Sequence, residues 1–190
     1  MARRYLIVID MQNDFVTGAL GTTEAQGIAP AVVEAARAFD GEVLFTLDTH
    51  GEDYPETQEG RNLPVPHCIK GSEGWQLIPE LSDVQRERNA RVFEKPTFGS
   101  TELVHYLTHA NAAEPIESIE LIGVCTDICV VSNALLIKAA LPEVPISVDA
   151  RLCAGVTPDA HQAALATMRS ALTKNSRSRM MNTTQTFTYP

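Results

Sequence analysis

Gly123-Val-Cys-Thr-Asp-Ile-Cys-Val-Val-Ser-Asn-Ala-Leu135 follows an apolar run, residues 119–122, that reads as a buried strand. Beyond the glycine, Ile128, Val131 and Leu135 recur at helical spacing, with Cys129 on the inner side of the first turns. A strand that stops at a glycine thus hands a cysteine to a helix start. Free backbone N–H groups at a helix N-terminus favour negative charge, so a thiol held there is expected to ionise more readily. The thiolate is the nucleophile, and it needs a base to take its proton and a cation to hold its charge.

Working outward, the same strand-to-polar pattern repeats. Residues 5–9, Tyr-Leu-Ile-Val-Ile, form an apolar run rich in β-branched side chains that stops at Asp10. Residues 42–47 form a second run, ending at Asp48; residues 91–93 form a third, shortly before Lys95. Residues 144–148 make a fifth strand ending at Asp149. Helical stripes separate them: one begins near Pro30 and ends at Asp40-Gly41, one starts at about Thr101, and Pro158 opens the last. The alternation predicts a three-layer αβα sandwich around a mainly parallel sheet, in which sites lie beyond the carboxyl ends of the strands. Asp10, Asp48, Lys95, Cys125 and Cys129 all fall at those ends. Their convergence favours a reactive site over three isolated readings: a turn-capping aspartate, a solvated lysine and an inert core thiol.

Composition narrows the class. The 190 residues suit one domain, expected over residues 1–172, with a polar tail over 173–190. A net charge of −9, without long basic blocks, argues against nucleic-acid or anionic-membrane partners. No apolar run approaches the ~20 residues that cross a bilayer, and the basic N-terminus reaches Asp10 too soon for a signal peptide. Four scattered cysteines fit a reduced, cytoplasmic protein better than a stapled secreted one. The Cys125/Cys129 spacing is a weaker redox signature than C-x-x-C.

Residues 49–74 carry Gly, Pro and acidic residues without periodicity and read as a long loop, a length usually tied to function. Asp48 and His50 alternate on its extended start, and His67 follows in Leu63-Pro-Val-Pro-His-Cys68. Two imidazoles and a carboxylate suit Zn²⁺, Mn²⁺ or Fe²⁺, and they equally suit loop-ordering hydrogen bonds. His105, His109 and His161 sit on predicted helices without matched partners and read as surface or satisfied residues.

Three motifs resemble those of the isochorismatase-like cysteine hydrolases, the superfamily that contains nicotinamidases. They are Ile9-Asp-Met-Gln-Asn-Asp-Phe15, Phe93-Glu-Lys-Pro-Thr-Phe-Gly-Ser-Thr-Glu-Leu103 and Gly123-Val-Cys-Thr-Asp-Ile-Cys-Val130, in the family's order. The resemblance runs from residue 5 to about 172. It implies Asp10 as general base, Lys95 as the catalytic lysine and Cys129 as the nucleophile. It also implies a cis peptide between Val124 and Cys125, and an oxyanion hole from the N–H groups of Cys125 and Cys129. Asp48, His50 and His67 resemble the nicotinamidase metal set, with Glu59 or Glu56 as a fourth ligand; no organic cofactor is implied. Nicotinamide is then the leading substrate, with Phe15 and Phe98 placed to sandwich its ring, and a homo-oligomer is implied. One departure stands out: many nicotinamidases carry an aromatic before the Pro-Pro-His segment, where this chain has Leu63-Pro-Val-Pro. The alternatives are another small-amide or N-carbamoyl hydrolase, or a non-catalytic binding homologue. An isochorismatase acts without a cysteine nucleophile, which Cys129 argues against.

Overall fold

The computed structural model describes residues 3–172. Strand β1 (Arg3–Ile9) leads into a short helix α1 (Asn13–Val16) and then α2 (Thr23–Ala38). Strand β2 (Glu42–Asp48) is followed by a 3₁₀ turn (Tyr54–Glu56) and helices α3 (Gln58–Asn62) and α4 (Pro79–Glu87). Next come β3 (Arg91–Lys95), α5 (Thr101–Ala113) and β4 (Ile116–Val124). A π-helical turn (Thr126–Val130) runs into α6 (Val131–Ala140), then β5 (Ile146–Ala154) and α7 (Pro158–Ala171).

All four strand pairings are parallel, in the order β3-β2-β1-β4-β5. Period-two alternation divides β1 between two cores. Tyr5, Ile7 and Ile9 pack with Leu103, Leu107, Ile137 and Leu165 under α5, α6 and α7. Leu6 and Val8 pack with Val32, Ala36, Leu81 and Val84 under α2 and α4. The expected three-layer sandwich is therefore what forms, with an entirely parallel sheet.

The chain reverses winding direction between β1 and β4, and the crevice opens there, at the carboxyl edge. Strand register sets what meets at that edge: Asp48 is opposite Lys95, Ile9 is opposite Thr46, and Ile9 is opposite Gly123. Gly123 adopts φ +113, and a Cβ there would lie 2.2 Å from the Ile9 carbonyl oxygen. Only glycine lets β4 approach β1 this closely while turning.

Three local expectations need correction. Helix α2 starts at Thr23, because the Thr22 side chain accepts the Ala25 N–H; Pro30 sits inside it. Strand β5 runs past Asp149 to Ala154, after a register shift against β4 between Leu121 and Gly123. Asp149 is therefore mid-strand, where it pairs with Arg151 at 2.6 Å, and is not part of the converging edge. The segment 49–74 is not structureless either. Thr57 caps α3 by accepting the Gly60 N–H, and its hydroxyl donates to the Tyr54 carbonyl. The expected polar tail, 173–190, lies outside the described residues. Among the described residues, no helix is long and apolar enough to cross a membrane.

Candidate active site

Asp10 ends β1 in the left-handed region, φ +47, one of the few conformations that Asp enters without excessive strain. Its Oδ1 accepts the Thr46 hydroxyl at 2.6 Å. The Lys95 ammonium forms a buried ion pair with Oδ2 at 2.7 Å. Lys95 also donates to Asp48 Oδ1 at 3.0 Å and reaches the Cys129 sulfur at 3.5 Å. Asp10, Lys95 and Cys129 are thus brought together as expected, each of them buried.

Burial dominates the electrostatics. It raises the Asp10 carboxyl, opposed by the Lys95 charge and reinforced by Asp48. Burial alone would lower Lys95, but Asp10, Cys129 and Asp48 raise it, so the ammonium stays charged. The Cys129 thiol is pushed well up by burial, with the Asp10 charge adding and Lys95 opposing. Burial thus opposes the easy ionisation expected of a thiol at a helix start and favours its protonated form. Cys125 is pushed up to about 12, again mainly by burial. All four cysteines are free thiols.

The peptide between Val124 and Cys125 is cis. The backbone then enters the π turn, where the Ile128 and Val130 N–H groups both donate to the Cys125 carbonyl, at 3.1 and 3.0 Å. This places Cys129 one turn into the helix rather than at its first residue.

The second cluster forms on the loop after β2. One donor atom each from Asp48, His50, Glu59 and His67 lies within 4.8 Å of the others. His50 Nε2 is 2.9 Å from Asp48 Oδ2 and 3.7 Å from Glu59 Oε1; His67 Nε2 is 3.5 and 3.9 Å from the same oxygens. Ligands about 2.0–2.2 Å from a tetrahedral ion sit roughly 3.3–3.6 Å apart, so this N₂O₂ set fits a divalent ion. His67 Nδ1 lies 2.8 Å from the Val65 carbonyl, which turns Nε2 inward. Glu59, and not Glu56, is the fourth member.

A cavity of about 270 Å³ borders both clusters. Cys125 and Cys129 line one part of it, Asp48, Glu59 and His67 another, and Phe15, Leu63, Phe98 and Val156 supply apolar walls. Phe15 is buried edge-on against His67, with ring centroids 5.5 Å apart. Phe98 is 41% exposed at the mouth. Trp75 does not line the cavity; its indole N–H donates to Thr49 Oγ1 at 2.9 Å.

Three residues escaped sequence reasoning. The buried Gln12 side chain donates to the Asp48 and Trp75 carbonyls and accepts the Asp48 N–H at 2.8 Å, which fixes the end of β2. Thr46 holds Asp10. Asn133 donates to the Cys129 and Phe98 carbonyls and accepts the Ser100 N–H, so one amide ties the helix carrying Cys129 to the loop after Lys95. Thr46 and Asn133 are polar at positions that the strand and helix patterns mark as inward, whereas Gln12 lies in the polar turn after β1. His161 is a satisfied residue: its Nδ1 lies 2.8 Å from Thr126 Oγ1. His105 and His109 are exposed neighbours, their ring centroids 6.0 Å apart.

Comparison with known proteins agrees with this geometry. A nicotinamidase/pyrazinamidase of Mycobacterium tuberculosis is 30% identical over 186 residues, covering 88% of this chain and 95% of its own. The crystal structure of a nicotinamidase/pyrazinamidase from Bacillus subtilis matches with a TM-score of 0.75 at 28% identity, over 89% of this chain and 96% of that one. A pyrazinamidase of Pyrococcus horikoshii, solved in complex with zinc, matches with a TM-score of 0.72 at 26% identity, over 89% of this chain and 96% of that one. The model of the isochorismatase domain matches residues 4–179, and the chain belongs to the isochorismatase family.

Proposed function

We propose that the protein is a cysteine-dependent amidohydrolase that converts nicotinamide and water to nicotinate and ammonia. The observation that carries this reading is one cavity lined both by Cys129 and by Asp48, Glu59 and His67 of the four-residue cluster. An amide held there has its carbonyl carbon at the sulfur and a ring nitrogen toward the cluster.

Asp10 takes the Cys129 proton as sulfur attacks the carboxamide carbon, so charge leaves the thiol only as the new bond forms. The N–H groups of Cys125 and Cys129 receive the oxyanion of the tetrahedral intermediate. Asp10 returns the proton to the leaving nitrogen, ammonia departs, and a thioester remains. Water, deprotonated by Asp10, then releases the acid and regenerates the thiol. Lys95 stays charged throughout and offsets the negative charge shared by Asp10, Asp48 and the sulfur. A divalent ion held by Asp48, His50, Glu59 and His67 would supply a Lewis-acidic anchor for the ring nitrogen, directly or through its water. Phe15 and Phe98 supply apolar faces for the ring. Similarity to the nicotinamidase/pyrazinamidases of M. tuberculosis and B. subtilis supports the amide substrate class. The four exact cluster residues are this chain's own, whatever ion they take.

A second reading, hydrolysis of another small or N-carbamoyl amide, is favoured by Leu63, which gives the cavity an aliphatic wall instead of an aromatic one. An ammonia-release panel of nicotinamide, pyrazinamide, aliphatic amides and N-carbamoyl compounds decides between them. Nicotinamide is expected to have the highest kcat/KM. No release from any compound by folded, metal-loaded protein would overturn the enzyme reading.

A further inference from the structure

The β5–α7 loop and the first turn of α7 together grip the turn that carries Cys129 at two points. Thr126 is fully buried, and its hydroxyl meets His161 Nδ1 at 2.8 Å. Next to it, Asp127 Oδ1 accepts the Val156 N–H at 2.9 Å. The two elements meet so closely that a Cβ on Gly155 would lie 2.7 Å from Asp127 Oδ1 and 2.9 Å from the His161 backbone nitrogen. His161 is itself fixed in the first turns of α7, its N–H donating to the Thr157 carbonyl at 2.9 Å. Thr126 and Asp127 stand between Cys125 and Cys129, the two residues whose N–H groups are assigned to the oxyanion.

We propose that His161 is a positioning residue for amide hydrolysis: through Thr126 it fixes the 125–129 turn and so aims the oxyanion-binding N–H groups. Burial lowers the His161 pKa, against the opposing Asp127 charge, which keeps the ring neutral. A neutral ring with its proton on Nε2 accepts the Thr126 hydroxyl at Nδ1. Oxyanion donors act only when held where charge develops, and small displacements are costly. Thiol activation, by contrast, rests on Asp10 and Lys95, which lie on other strands and do not touch His161. This role rests on the hydrolase reading, and it separates two steps that a general loosening of the fold would impair together.

The test compares wild type, His161→Ala, His161→Asn and Thr126→Val as full chains. Three quantities are read: nicotinamide kinetics, iodoacetamide alkylation of Cys129 followed by peptide mapping, and hydrogen exchange of the 125–130 amides. His161→Ala and Thr126→Val are expected to lower kcat about tenfold with little change in KM. Exchange of the turn amides should rise, while Cys129 alkylates at the wild-type rate. His161→Asn, whose amide oxygen can take the place of Nδ1, should recover most of the loss. Unchanged kcat and exchange in His161→Ala would overturn the proposal, as would alkylation slowed as much as hydrolysis. A wild type that releases no ammonia counts against the hydrolase reading alone. Exchange in His161→Ala then decides the tether: faster exchange supports it and unchanged exchange overturns it.

Discussion

Lys95 donates to Asp48 Oδ1 at 3.0 Å, and the other oxygen of the same carboxylate faces His50 at 2.9 Å. One side chain therefore joins the thiol's cation to the candidate metal cluster. The two groups meet because β2 and β3 pair Asp48 with Lys95 in register. Burial by itself would raise the Asp48 carboxyl, yet His50, His67 and Lys95 hold it well below the ordinary range.

Asp10 behaves differently, and the acid limb of activity should report it. Its carboxyl is raised above the ordinary value, so the base form is lost as pH falls through that raised value. The kcat/KM profile for nicotinamide should therefore decline with a midpoint above about pH 4, the ordinary carboxylate range. A limb at or below that range would exclude Asp10 as the base.

Removing the Asp10 charge should separate activity from stability. Asp10→Asn leaves Lys95 paired with Asp48 alone, a more balanced buried pair. Ammonia release should fall to background while Tm stays level or rises. A large drop in Tm would mean that the Asp10–Lys95 contact is mainly structural.

Lys95→Met should do the opposite, stranding two buried carboxylates at a cost of about 3–5 kcal/mol. The Lys95 pKa is raised on folding, so its stabilisation is complete below about pH 10.4, the ordinary lysine value. It is lost as pH rises through the folded value. Denaturant unfolding of wild type should thus weaken at strongly alkaline pH, and the Met variant should lack that Lys95 contribution.

His50→Ala removes one ligand from a set of four. Metal analysis after loading with Zn²⁺, Mn²⁺ or Fe²⁺ should give about one ion per wild-type chain and much less for the variant, with a raised KM for nicotinamide. No bound metal in either protein would remove the cluster from the account of substrate binding.

Much of this architecture was legible because burial writes itself into strand composition. Asp10 and Asp48 each end an apolar run, Lys95 follows shortly after the third strand's Phe93, and parallel topology puts such ends on one edge. The extended segment after β2 likewise placed His50 beside Asp48. What escaped were features set by tertiary contact. Pro30 looks like a helix start, but Thr22 supplies an earlier cap. Asp149 looks like a strand end, but β4 keeps pairing with β5 beyond it. Gln12, Thr46, Asn133 and His161 act through partners distant in sequence, and no local pattern announces a long-range hydrogen bond. Burial raises the Cys129 thiol against the Lys95 charge, and burial of that degree is set by tertiary packing.

Nucleophilic attack by Cys129 is decided by ammonia release from nicotinamide, compared between wild type and Cys129→Ala. Cys129→Ala should fold with near-wild-type stability, bind nicotinamide and release ammonia at least about 10³-fold more slowly. A Cys129→Ala protein that hydrolyses nicotinamide at the wild-type rate would contradict the account.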